Sequence, residues 1–142
     1  MAKRYVVESD FEYNGLRCVV TFGMLGHRCG YVGVPKGNRF YGKSYMNIAS
    51  MIDYGDCHGG LTYSSEEEKS KYPVKSDLWW FGFDCAHYGD GKDLDLAIEL
   101  FPNYREQLTK IKEVEAMFPT DEIVRNKKYV EENCKSLADQ LA

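Results

Sequence analysis

The sequence has no long hydrophobic run. Its apolar stretches, such as LWWFGF, break off well short of the ~18 residues that a membrane-crossing helix requires, so no membrane partner is expected. It has no excess of positive charge either. With 18 basic against 22 acidic residues the net charge is −4, and both signs are spread along the chain, so nothing would gather duplex nucleic acid by its field. The N-terminal stretch MAKRYVVESDFEYNG turns acidic before any apolar segment appears and does not read as a signal peptide; the cytoplasm is the expected compartment. There is also no even set of cysteines. Cys18, Cys29, Cys57, Cys85 and Cys134 are five, and in a reducing compartment each reads as a thiol, a ligand or a nucleophile rather than half of a disulfide.

One further absence divides the chain. All 13 glycines, both tryptophans and all 3 histidines lie within residues 1–91, and residues 92–142 contain none of these. The pattern predicts one domain of 142 residues, with a β-rich body over 1–91 and a helical tail over 92–142. The expected fold class is α+β: a mostly antiparallel sheet with the C-terminal helices packed on it or joining copies of the chain into a homo-oligomer.

In the body, Asn14-Gly15 between two β-prone runs predicts a hairpin with a type I′ turn. A third strand is expected at CGYVGVP, ended by Pro35, then an irregular aromatic loop at KGNRFYGKSY. MNIASMI is too short to separate helix from strand. HGGLTYS reads as a short strand, SEEEKSKYPVKSD as a solvated connection, and WWFGFDCAHYGD as a central strand whose core part is Trp79–Phe83 and whose polar lip is Asp84–Asp90. In the tail, DLDLAIELF alternates like a strand, yet Asp93 in N-cap position favours a helix. Tyr104, Leu108, Ile111, Val114 and Phe118 form one helical stripe stopped by Pro119. Thr120 then reads as the N-cap of a last helix carrying Ile123, Lys127, Val130, Cys134, Leu137 and Leu141 on one face.

Each histidine stands beside, or one residue from, a cysteine: His27 with Cys29, Cys57 with His58, Cys85 with His87. Three readings follow. On extended strands, residues i and i+2 share a face ~6–7 Å apart, so His27, Cys29, Cys85 and His87 could form a tetrahedral zinc set. Alternatively Cys85 is a nucleophile, with His58 or His87 as base and Asp84 or Asp90 orienting the ring. The plain reading makes Trp79, Phe81, Phe83 and Cys85 the inward face of a core strand. For a ligand, Trp80 and Tyr63 would be pocket walls, Arg39 and Tyr41 would hold a phosphate or stack a base, and Gly59 would let backbone approach closely. His58 and His87, as pocket groups, are expected to be dispensable for folding.

The blocks GHRCGYVGVPKG, YGKSY, HGGLTYS and WWFGFDCAHYGD resemble those of a family of small, uncharacterised bacteriophage and prophage proteins, over roughly residues 26–90. The resemblance implies an accessory role, such as countering host defence, in the cytoplasm of an infected bacterium. It implies no catalytic residues. Two functions stay open. One is a His/Cys/Asp pocket, built from His58, His87, Asp84 and Cys85, that binds or hydrolyses a small nucleotide-like molecule. The other is a surface that inhibits a host protein, with the His/Cys cluster structural or zinc-stabilised.

Overall fold

The computed structural model describes residues 4–52, 57–68 and 71–142. Asn14 and Gly15 take φ of 51° and 78°, the left-handed pair that a two-residue hairpin turn needs. They join β1 (Tyr5–Tyr13) to β2 (Leu16–Gly23), in a register that runs from Tyr13↔Leu16 to Tyr5↔Gly23. β3 (Arg28–Val34) pairs with β2 and ends where Pro35 removes the next donor. MNIASMI resolves as a short helix, α1 (Tyr45–Ile48), because the Ser44 side chain accepts from the Met46 amide and starts it. HGGLTYS contributes only β4 (Tyr63–Ser64), and WWFGFD is β5 (Trp79–Asp84). The sheet order is β1-β2-β3-β5-β4, antiparallel at every pairing, with the longer helices following it; the fold is α+β.

Both faces of this sheet are covered. On one, Trp79, Phe81, Phe83 and Cys85 point inward with Cys18, Val20 and Val32, as period-2 alternation dictates. The last helix, α4 (Lys127–Leu141), seals that face with Val130, Cys134, Leu137, Ala138 and Leu141, all without exposed surface. On the other face Val19, Tyr31 and Trp80 are covered by Tyr63, Tyr72, Val74 and Leu78. The stretch SEEEKSKYPVKSD is therefore more than a solvated connection: its described C-terminal half lies over the sheet. Tyr5 Oη donates to the Pro73 carbonyl at 2.8 Å, and Trp80 Nε1 donates to Ser76 Oγ at 2.9 Å, which pins the segment there.

The tail holds three longer elements. Asp93 caps α2 (Leu94–Leu100), its carboxylate accepting from the Leu96 amide at 3.1 Å, so the capping signal prevails over the alternation. A 3-10 turn at Pro102–Tyr104 leads into α3 (Arg105–Met117). These helices pack on one another around Phe22, Leu94, Ala97, Phe101 and Leu108. Only the first half of the expected stripe is used: Val114 and Phe118 are 56% and 69% exposed.

One boundary departs from the sequence reading. Thr120 caps no helix; its hydroxyl accepts locally from the Glu122 amide, a bond that serves a turn as readily as a helix start. The chain then runs extended as β7 (Ile123–Val124), parallel to β6 (Asp90–Gly91), and Ile123 is exposed rather than part of a helix face. Asn126 is the cap of α4, accepting from the Tyr129 amide at 2.8 Å.

If α4 closes the core and the far end of α3 closes nothing, the two should respond differently to truncation. Leu137→Ala is expected to cost about 2–5 kcal/mol, as a buried leucine does, and Val114→Ala to stay within about 0.5 kcal/mol. Urea unfolding midpoints of the two variants check this.

Candidate functional site

Asp90 organises the polar end of β5. Its side chain is 1% exposed, yet it carries a carboxylate that must find donors. His58 Nε2 lies 2.9 and 2.8 Å from its two oxygens, the His87 amide donates to Oδ2 at 3.0 Å, and Arg125 Nε donates to Oδ1 at 3.0 Å. Three donors thus surround the carboxylate, His58 Nε2 being shared between its two oxygens. Burial pushes the Asp90 carboxyl up, but the bonds from His58, the His87 amide and Arg125 outweigh it and hold the group below its ordinary value of 3.8. Asp90 is thus an acceptor only at neutral pH, so His58 carries its proton on Nε2. His58 Nδ1 stands 2.7 Å from Tyr129 Oη, within hydrogen-bond distance.

His87 is the looser of the two rings. Its side chain is 36% exposed and its centroid lies 5.9 Å from that of His58. Nδ1 is nevertheless buried and has no hydrogen-bond partner; the nearest carboxylate oxygens, of Asp84 and Asp90, stand 3.5 and 3.8 Å away. Gly59, with φ of 71°, lies under this ring, and a Cβ there would come within 2.5 Å of His87 Cε1. The close approach expected of Gly59 is real, but it is to His87 rather than to a ligand.

The segments carrying these groups meet for identifiable reasons. The turn between β5 and β6 places His87 and Asp90 together, and the Asp90 amide donates back to the His87 carbonyl at 3.0 Å. The β6–β7 pairing sets Arg125 beside Asp90, and the cap at Asn126 turns the chain so that the first turn of α4 presents Tyr129 to His58. Arg28, 6% exposed, fixes the rear of the assembly: it grips Glu8 through Nε at 2.6 Å and a second nitrogen at 3.2 Å, and donates to the Arg125 carbonyl at 3.1 Å.

The expected sites are redistributed. The set His27, Cys29, Cys85 and His87 does not converge. In the β3–β5 register Cys29 stands opposite Asp84, so it shares the Asp84 side of the sheet, whereas Cys85 turns into the core beneath α4. His27 precedes β3 and donates from Nδ1 to the Cys85 carbonyl at 2.8 Å. Among the described residues, the group able to hold a metal ion is instead His58, His87 and Asp90, whose ligand atoms lie within 4.8 Å of one another. Cys85 is not placed as a nucleophile: it is 2% exposed, and burial, with Asp90 adding to it, pushes its thiol up to about 12. Asp84 does approach His87, but its two oxygens accept from Thr62 Oγ1 and the Ala86 amide, both nearer.

The expected pocket walls also fall elsewhere. Trp80 has no exposed surface and belongs to the second core face with Tyr63, whose ring meets Tyr31 edge-on at 5.6 Å. Tyr41 packs on Trp79, and Arg39 lies over its neighbour Phe40. Clefts of about 470, 630 and 580 Å³ are lined by Asp10 and Arg17, by Arg105 and Glu113, and by Arg4 and Pro73 with their neighbours; none of the three includes a residue of the histidine cluster. Arg125, Tyr129 and Arg28 went unremarked in the sequence because their partners lie 35, 71 and 20 residues away. No protein-family model, curated protein or solved structure matches this chain.

Two expectations follow from these bonds. His58 is tied at both nitrogens, so it is not dispensable for folding as a pocket residue would be. Asp90→Ala, which strands Arg125 and His58, should cost about 3–5 kcal/mol, and His58→Ala about 1.5–3 kcal/mol. His87→Ala should stay within about 0.5 kcal/mol, all read from denaturant titrations.

The second concerns His27, which burial lowers below its ordinary value of 6.5 against the opposing pull of its bond to the Cys85 carbonyl. Below 6.5 the unfolded chain binds more protons at this position than the folded one. The stability that the neutral ring contributes is therefore complete above 6.5 and is lost as pH falls toward the lowered folded value. Unfolding midpoints at acid and neutral pH should differ less in His27→Gln than in the wild type.

Proposed function

We propose that this chain is a phage-type accessory protein that works through a small-molecule site at His58, His87 and Asp90, taking a nucleotide-like or other anionic ligand. The observation that carries the reading is the disposition of His87. It is the ring in the cluster open to solvent on one side, while its buried Nδ1 faces a carboxylate held ionised and a second imidazole. A loop glycine, a strand end, a two-stranded pairing and a helix start hold this arrangement, more structure than a solvated histidine needs. Arg125 beside it, 25% exposed on its side chain, adds a positive charge suited to an anion. Base stacking on Trp80 and Tyr63 has no part in this reading, since both serve the core.

The second reading, a surface that inhibits a host protein, is favoured by one observation. Val114, Met117, Phe118 and Ile123, near in sequence at the end of α3 and on β7, are large apolar side chains each more than half exposed.

Native mass spectrometry of the protein purified from a bacterial host separates the two. The small-molecule reading expects a retained mass, released on denaturation and missing from His87→Ala while that variant keeps its melting temperature. Absence of any retained mass, together with no binding of a panel of mono-, di- and cyclic nucleotides in calorimetry, would overturn it.

A further inference from the structure

We infer that His58, His87 and Asp90 bind one divalent transition-metal ion, zinc or its chemical neighbours, through His58 Nε2, His87 Nδ1 and Asp90 Oδ2. The three atoms come from two separate segments and lie within 4.8 Å of one another. In a tetrahedral site with bonds of roughly 2.0–2.1 Å the donors stand roughly 3.3 Å apart. The pair His58 Nε2 and Asp90 Oδ2, at 2.8 Å, and the pair His87 Nδ1 and Asp90 Oδ2, at 3.8 Å, fall on either side of that separation.

Two details of the cluster point to an ion rather than to a plain ion-pair network. First, His87 Nδ1 is buried without a hydrogen-bond partner although two carboxylates are near. A ring that needed only a hydrogen bond would have closed on one of them; a ring awaiting an ion has no need to. Second, two of the three proposed ligands, His58 and Asp90, already have an outer partner. Tyr129 Oη meets His58 Nδ1, and Arg125 holds Asp90 Oδ1, while Oδ2, which accepts from the His87 amide, lies 2.8 Å from His58 Nε2 and 3.8 Å from His87 Nδ1. With the ion on Nε2, the ring keeps one proton, on Nδ1, and donates it to the Tyr129 phenol oxygen.

Two imidazoles and one carboxylate, with no thiolate, suit zinc, iron(II) or cobalt(II) and not the oxygen-seeking magnesium or calcium. Three protein ligands leave at least one position free on the side where His87 reaches solvent, the pattern of sites that bind water or a substrate group. The inference goes beyond the small-molecule reading and does not depend on it, since it is read with metal ions alone.

The test uses the full chain after treatment with a chelator. Titration with cobalt(II), followed by visible absorption, should give one ion per chain with the intense bands of a tetrahedral site. Zinc should displace the cobalt and raise the melting temperature, and magnesium should do neither. His87→Ala, which keeps the fold, should bind zinc at least about 100-fold more weakly, and Tyr129→Phe, which removes an outer partner, about 10-fold more weakly. His27→Ala, outside the cluster, should bind as the wild type does. No stoichiometric binding of zinc or cobalt to the folded wild type, or binding undiminished in His87→Ala, would overturn the inference.

Discussion

A carboxylate removed almost wholly from water needs donors, and the position of Asp90 makes that need a constraint on the whole C-terminal half of the molecule. The donors come from the loop before β4, from the turn that contains Asp90 itself, and from the link between β7 and α4. Leaving any of them out would strand a charge in a low-dielectric site, which costs far more than a single surface bond returns. Arg28 extends the same constraint backward, since it joins Glu8 on β1 to the Arg125 carbonyl. A continuous polar path therefore runs from Glu8 through Arg28, Arg125 and Asp90 to His58 and Tyr129. The candidate site is the middle of that path, which is why its geometry and the stability of the fold are coupled.

The apolar side of the architecture makes such a path affordable in space. α4 covers one face of the sheet and the segment around Tyr72 and Val74 covers the other, so the polar groups are confined to the rim where β5 ends. The helix that seals the core is also the one that delivers Tyr129, and its start is set by Asn126. Packing and site thus share one register: a shift of α4 by one residue would rotate Val130 and Cys134 off the sheet and Tyr129 away from His58 together. His87 is the exception. Its backbone is tied to Asp90, but its buried Nδ1 has no hydrogen-bond partner, and this is what separates a group available to a ligand from one consumed by the fold.

Much of the scaffold could be read from local pattern. The hairpin at Asn14-Gly15 follows from the dihedrals those residues tolerate, and the inward set Trp79, Phe81, Phe83 and Cys85 follows from alternation. Asp93 as a cap and Cys134 as a core residue follow from spacing within a few positions. Where local signals misled, a distant partner had overridden them. Thr120 with Asp121 and Glu122 has the composition of a helix start, but the edge offered by Asp90 and Gly91 draws the next residues into a strand. Trp80 resembles a pocket wall until Tyr72 and Val74 are seen to lie over it.

The same distinction holds for the chemistry. From the sequence alone came the residue types gathered at the end of β5 and the proximity of each histidine to a cysteine. Sequence proximity, however, does not set which face a side chain takes. The register Cys29↔Asp84 separates Cys29 from Cys85, and burial leaves the Cys85 thiol protonated, so the cysteines fall to the core and the two histidines find a carboxylate instead. Local order and periodicity depend on neighbours within a few residues, and the sequence carries them directly. The meeting of His58, His87, Asp90, Arg125 and Tyr129 depends on bonds across up to 71 residues, and only the closed fold decides those, because only there must a buried charge be satisfied.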